Sequence, residues 1–174
     1  MITLPSELEC YYNRKCPLYL FNGNLQIRGT SENPEWNNIF RYWIGEKAFY
    51  KRYISIAKAD VLFGQDAYGD QYFIRNSIIY KLFCETDEIY CFEQPFHAWL
   101  ETVYQDPEKY LSINPENLIN PGKLLLAYPP FCMKESKNCK IKEIALDEVI
   151  EFHAELAGKI RNLKNGEKIE INFD

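Results

Sequence analysis

The six cysteines of this sequence form no C-x-x-C pair, and its two histidines, His97 and His153, stand far apart in the chain. Without paired ligand spacing, no metal site is expected. No apolar run approaches the length of a membrane span, so no membrane partner is expected. The first residues, M-I-T-L-P-S-E-L-E, carry neither a basic nor an apolar leader segment. The chain therefore reads as cytoplasmic, with reduced thiols that serve as small buried hydrophobes. An excess of basic charge is also missing: 20 Lys and Arg face 25 Asp and Glu, for a formal charge of −5. That argues against a nucleic-acid partner, which needs a basic stripe. It leaves room for a basic protein partner, although a modest negative charge also simply keeps a domain in solution. A phosphate loop is absent too, because G-Q-D-A-Y-G lacks the lysine and the helix that would follow. No cofactor is expected.

What is present is aromatic. Aromatic residues make up 16% of the 174 residues and hydrophobic residues 47%, enough apolar area for a sizeable core. The length favours one domain, residues 1–174. The central stretch is V-L-F-G-Q-D-A-Y-G-D-Q-Y-F-I, Val61 to Ile74. It reads as a short strand over Val61, Leu62 and Phe63, a polar turn bracketed by Gly64 and Gly69, and a second strand from Gln71.

Around it, Leu4 to Arg14 reads as a short helix. Leu18 to Phe21 and Leu25 to Arg28 flank Asn22-Gly23-Asn24, a hairpin signal. Asn33-Pro34-Glu35 opens a helix whose apolar face is Trp36, Ile39, Phe40 and Trp43, up to Gly45. Ile78 to Cys84 and Ile89 to Phe92 continue a half-buried antiparallel meander. Pro95 opens a helix over Phe96, Trp99, Leu100 and Val103, stopped at Asp106-Pro107. Leu124 to Tyr128 reads as a strand and Phe131 to Lys140 as an exposed loop. Ile141 to Leu146 leads into a last helix, with Asp147 as its candidate cap and Val149, Ile150, His153, Leu156, Ile160 and Leu163 as its stripe. Asn165-Gly166 then suits a left-handed cap, and Ile169 to Phe173 a closing strand. The sum is one α+β domain with a largely antiparallel sheet and about four helices.

Taken in this order, the elements resemble the SUKH superfamily, which includes a yeast cell-wall-assembly regulator and many bacterial immunity proteins. The residues that carry the resemblance are Phe63 to Phe73, with Leu4-Pro5, Leu20-Phe21-Asn22-Gly23, the tryptophan helix after Pro34, and the step from Phe92 to Tyr104. Asn162 to Ile169 is similar to the tail of a longer bacterial subgroup. The resemblance implies a bent antiparallel sheet packed with helices. For bacterial members it implies an immunity protein that binds and blocks a cognate toxin, often a nuclease. Some members are instead regulators.

The candidate partner-binding residues are Gln65, Asp66, Tyr68 and Asp70 on the central turn, with Glu85, Asp87 and Glu88 nearby. A tyrosine flanked by acids suits a basic protein surface; a solvated hairpin end is the plainer reading. Asp66 and Asp70 could also serve acid–base chemistry, but aspartates at turns more often cap amides. His153, on an apolar stripe, reads as a core or edge residue. No nucleophile–base–orienter spacing is present, so catalysis is not expected. Three functions follow in order: toxin neutralisation by occlusion, a regulatory or scaffold domain, and a small enzyme. The cysteine spacing predicts folding without metal or disulfide. Thermal melts should not move with chelator or reductant, and a large loss of stability with either contradicts that reading.

Overall fold

The computed structural model describes Ser6, Leu8, Glu9, residues 17–111 and residues 117–163. Helical residues at Ser6, Leu8 and Glu9 come first, where the short helix was expected. Six strands then form one sheet in chain order, each antiparallel to its neighbour: β1 (Leu18–Leu20), β2 (Leu25–Ile27), β3 (Val61–Asp66), β4 (Gln71–Arg75), β5 (Ile78–Phe83) and β6 (Glu88–Cys91). A separate ribbon pairs β7 (Lys123–Tyr128) with β8 (Lys140–Ala145). The helices are α1 (Ile39–Trp43), α2 (Phe96–Gln105), α3 (Pro107–Leu111) and α4 (Leu146–Arg161). The architecture is thus the α+β arrangement expected from the sequence. The closing strand over Ile169 to Phe173, the cap at Asn165-Gly166, and Cys10 and Cys16 lie outside the described residues.

Local chemistry sets the joints. Asn76 and Ser77 both take left-handed φ, 52° and 62°, and close a two-residue hairpin under the Arg75–Ile78 pair. The helix expected from Pro34 is broken. Glu35–Asn37 forms a 3₁₀ turn and α1 starts afresh at Ile39. The cause is backbone pairing: Gly29 N donates to Asn37 O at 3.0 Å and Ile39 N to Gly29 O at 2.9 Å, which holds Asn38 extended. Asn38 Oδ1 then accepts from Phe40 N at 2.8 Å and caps α1. The segment from Ile141 is a strand rather than a lead-in. Asp147 does not cap α4, because its carboxylate accepts from Arg41 Nη2 and from the Tyr42 hydroxyl, at 3.0 and 3.2 Å.

The sheet is not half-buried in its middle. Every residue of β3 is buried, as are Gln71 to Ile74 of β4. Neighbouring side chains point to opposite faces, and both faces are covered. On one, Phe63, Tyr72 and Ile74 pack with Phe96, Trp99 and Val103 of α2. On the other, Leu62, Phe73 and Leu82 pack with Tyr42, Phe49 and Tyr53 and with Val149 and Ile150 of α4. Trp99 lies edge-on to Phe63, with ring centres 5.6 Å apart.

The strand also runs further than expected. Gly64 does not begin the turn: after a register shift between Leu62 and Gly64, β3 continues through Gln65 and Asp66. A Cβ on Gly64 would stand 2.9 Å from Gln26 O, so only glycine allows β2 this close. Buried Arg28 fills the space beside it. Its Nη1 donates to Leu62 O and Gly64 O, at 3.3 and 3.4 Å, and its Nη2 to Gln65 Oε1 and Gln71 Oε1, at 2.7 and 2.6 Å. Its guanidinium lies 4.3 Å from the Tyr42 ring centre. One planar fork therefore joins β2, β3 and β4.

Arg28→Met should lower unfolding free energy by about 3 kcal/mol, since it removes the charged donor that buried amide and carbonyl oxygens share. Arg28→Lys should recover only part of this, because a single ammonium does not reproduce the fork. Urea unfolding with an unchanged m-value tests both, and a wild-type midpoint in Arg28→Met contradicts the role assigned to the fork.

Candidate functional site

The site is built from the turns at one end of β3, β4 and β5. Asp66 ends β3. Its Oδ1 accepts from Tyr68 N at 3.0 Å and from Asp70 N at 3.1 Å, so the carboxylate shapes the turn that follows it. Gly69 in that turn has φ +86°, and an added Cβ would lie 3.3 Å from Leu124 and Val149 and 3.6 Å from His153 Nδ1. Lys81 reaches across from β5, and its ammonium sits 2.7 Å from Asp66 Oδ2 and 3.1 Å from Asp70 Oδ2. Asp70 Oδ1 accepts from Cys84 N at 3.0 Å and so ties the β3–β4 turn to the β5–β6 turn.

From the β5–β6 turn, Glu85 accepts from Phe131 N and Cys132 N, at 3.1 and 2.8 Å, and holds the segment after β7 against the sheet. Phe131 meets Tyr68 edge to face, with ring centres 4.9 Å apart. His153, from α4, completes the wall. Its Nε2 is 3.9 Å from Glu85 Oε1, and its buried Nδ1 has no hydrogen-bond partner. Together these groups bound a cleft of about 540 Å³, lined also by Phe83, Thr86, Glu88 and Leu111.

The electrostatics follow from burial. Burial pushes the Asp66 carboxyl up, Lys81 and the turn amides draw it down, and Asp70 pushes it up again; the net is upward. Burial alone would lower Lys81, but Asp66, Tyr72 and Asp70 hold it well above the ordinary range. The two directions agree: burial penalises the Asp66 charge, and that charge, once formed, keeps Lys81 protonated. Burial pushes the His153 imidazole down, only partly offset by Asp70 and Glu85. The Cys132 thiol is pushed up to about 12 by burial and by Glu85, so it stays protonated.

No family model, curated protein or solved structure matches the chain. The cleft is therefore read from its own chemistry. Among the described residues no group of His, Cys, Asp and Glu is placed to hold a metal ion, and no helix is long and apolar enough to cross a membrane.

Five of the seven candidate binding residues, Asp66, Tyr68, Asp70, Glu85 and Glu88, meet at this cleft. Their exposure differs from expectation. Gln65 is buried at 2% exposure because it accepts from Arg28 and donates to Gln26, away from the cleft. Asp66, at 1%, is buried by Lys81 and the turn amides. Glu85, at 9%, is covered by the segment it holds. Asp87 accepts from Ile54 N, Ser55 N, Ser55 Oγ and Arg161 Nη2, a staple between segments rather than a free acid. Tyr68 and Asp70 are half-buried, and of the seven Glu88 alone is exposed.

The acidic face of α4 is engaged in part: besides Asp147, Glu151 bonds Lys47 at 2.6 Å and Arg52. The sequence reading passed over Lys81 and Phe131, and placed His153 in the core or at its edge without a cleft beside it. The signal for Lys81 was a lysine amid a strongly apolar strand.

The depressed His153 sets a pH dependence. A folded value below the unfolded 6.5 means that its stabilisation is complete above pH 6.5 and is lost as pH falls through the folded value. Asp66, raised from 3.8 to about 6, acts with the opposite sign between those two values, so the variant must be compared with wild type. His153→Leu should flatten the loss between pH 7 and 5, removing a slope of at most about 1.4 kcal/mol per pH unit. Parallel wild-type and variant curves contradict the buried neutral imidazole.

Proposed function

We propose that this chain is a protein-binding module of the immunity type, which acts in the cytoplasm and blocks a basic toxin by covering its active site. The observation that carries the reading is the mouth of the cleft. Carboxylates from the β3–β4 turn and from the start of β6, Asp70 and Glu88 outermost, stand beside the aromatic rings of Tyr68, Phe83 and Phe131. A half-open acidic site with rigid aromatic walls suits a cationic partner surface, where aromatic anchors supply contact area and charge supplies encounter rate. The SUKH-like order of the elements points the same way, and gives the toxin, possibly a nuclease, as the partner class.

The groups of the cleft have structural occupations that leave little for catalysis. Asp66 is held by Lys81 and two amides, Glu85 by two amides, and the Cys132 thiol is not ionised at neutral pH. Inhibition by occlusion needs none of them to react.

The decisive experiment pairs the chain with the product of a toxin-type gene beside its own, scored by growth rescue and by complex formation. Association should slow as salt rises to physiological strength, where screening acts over about 8 Å. Glu88→Gln should mainly lower the on-rate. Tyr68→Ala should raise the off-rate about 30-fold, equivalent to about 2 kcal/mol. Rescue without a complex, or wild-type kinetics in a folded Tyr68→Ala, counts against occlusion at this cleft.

A further inference from the structure

We propose that residues 131–139 form a strap over the cleft that opens as one unit while the rest of the fold stays intact, with the Glu85 carboxylate as its latch. The strap joins the two strands of the β7–β8 ribbon, where Tyr128 and Lys140 are paired. Pro130, which is buried, marks its first hinge, and Lys140 the second. Met133 N donates to Pro130 O at 3.0 Å, Ser136 N to Met133 O at 3.2 Å and Cys139 N to Ser136 O at 3.0 Å. These turns, around the 3₁₀ segment Lys134–Asn138, hold the strap's own shape.

Its attachment to the body is narrow. Among the described residues, the hydrogen bonds that leave the strap and its hinges all end on Glu85: Phe131 N to Oε1, Cys132 N to Oε2, and the Cys132 thiol. One ring contact adds to them, Phe131 edge to face on Tyr68. No residue from Phe131 to Cys139 is buried, and Lys134, Glu135 and Lys137 make no ion pair among the described residues. The turns below are held otherwise. Asp66 and Lys81 are both buried, and Gly69 fits against Leu124 and Val149.

The free energy of a local opening is that of the contacts it breaks, and a segment with little buried apolar surface opens well below the global limit. Opening the strap breaks the bonds of one carboxylate and one ring contact, and withdraws no buried side chain. Its consequence is at the cleft. Phe131 leaves Tyr68, so one aromatic wall is lost, and Glu85, 9% exposed while latched, is bared. Under the protein-binding reading above, the closed strap is the form that presents an assembled surface. Glu85 then serves that surface as a latch and not as a contact. A partner that seats on Phe131 holds the strap closed, because it binds only that state.

Amide hydrogen exchange of the full chain at pH 7, read by nuclear magnetic resonance across a series of sub-denaturing urea concentrations, tests the strap without any partner. Its outcome therefore stands apart from the protein-binding reading. The Phe131 and Cys132 amides should be protected to the same degree. They should exchange at least about 100-fold faster than the slowest amides of β4, and with almost no dependence on urea. Glu85→Gln keeps an acceptor without its charge and should speed both amides about 10-fold. Glu135→Gln, in the strap but outside the latch, should change neither. Exchange of Phe131 and Cys132 at the rate and urea slope of the β4 amides overturns the proposal, because the strap would then open only with the whole fold. Unequal protection of the two amides overturns the single latch, as does an unchanged rate in folded Glu85→Gln. Two unprotected amides in wild type show that no latch forms and overturn it too. If Glu85→Gln fails to fold, the wild-type urea series alone decides.

Discussion

The ion pair between Asp66 and Lys81 is the constraint on which the functional end of this protein depends. The two charges lie 2.7 Å apart and both are buried, so each is tolerable only because the other is present. From that pair the geometry spreads outward. Asp66 also fixes the amides of Tyr68 and Asp70, Lys81 also reaches Asp70, and Asp70 holds the amide of Cys84. Two turns from different hairpins become one rigid floor. Glu85 then fastens the segment at Phe131 and Cys132 above it, and the cleft results. Loop-borne binding residues gain precision when a fixed scaffold orients them, and here the scaffold extends into the turns themselves.

The remainder of the fold can be understood as support for this end. Arg28 joins three strands behind the turn through Gln65 and Gln71, and Gln71 Nε2 donates to Gly69 O at 2.6 Å inside the turn. The β7–β8 ribbon docks on the same turn, with Leu125 N donating to Ala67 O at 2.7 Å. Helix α4, which supplies His153, is held at its start by Arg41 and Tyr42 through Asp147 and at its end by Asp87 through Arg161. A side chain in a cleft is only as well placed as its element, and α4 is tied at both ends.

Much of this was legible in the chain. Turn residues and apolar spacing located the hairpin at Asn22 to Asn24, the helix after Pro95, and the last helix, because these signals are local. What misled was partnership at a distance. Gln65, Asp66 and Asp87 look like turn polars open to water, since nothing near them in sequence marks the Arg28, Lys81 and Arg161 that bury or bind them. Nor does the pattern reveal that helices cover both faces of the sheet, which is why its central strands are buried throughout rather than on alternate residues. The strand at Lys140–Ala145 was hidden by its lysines, which belong to an exposed ribbon face. The cleft itself was half legible: the acids and Tyr68 were found by type, and His153 was found as an apolar-stripe residue without the cavity beside it.

The coupling between Asp66 and Lys81 is therefore the quantity to measure, by a double-mutant cycle in urea unfolding with Asp66→Asn, Lys81→Met and the pair. Each single change leaves a buried polar or charged group without its partner, and Lys81→Met, which strands Asp66, should cost about 3–5 kcal/mol. The double variant should be at least about 2 kcal/mol more stable than the sum of the single effects predicts. Additive effects within about 0.5 kcal/mol contradict the account, because the turns would then be held by something other than this pair.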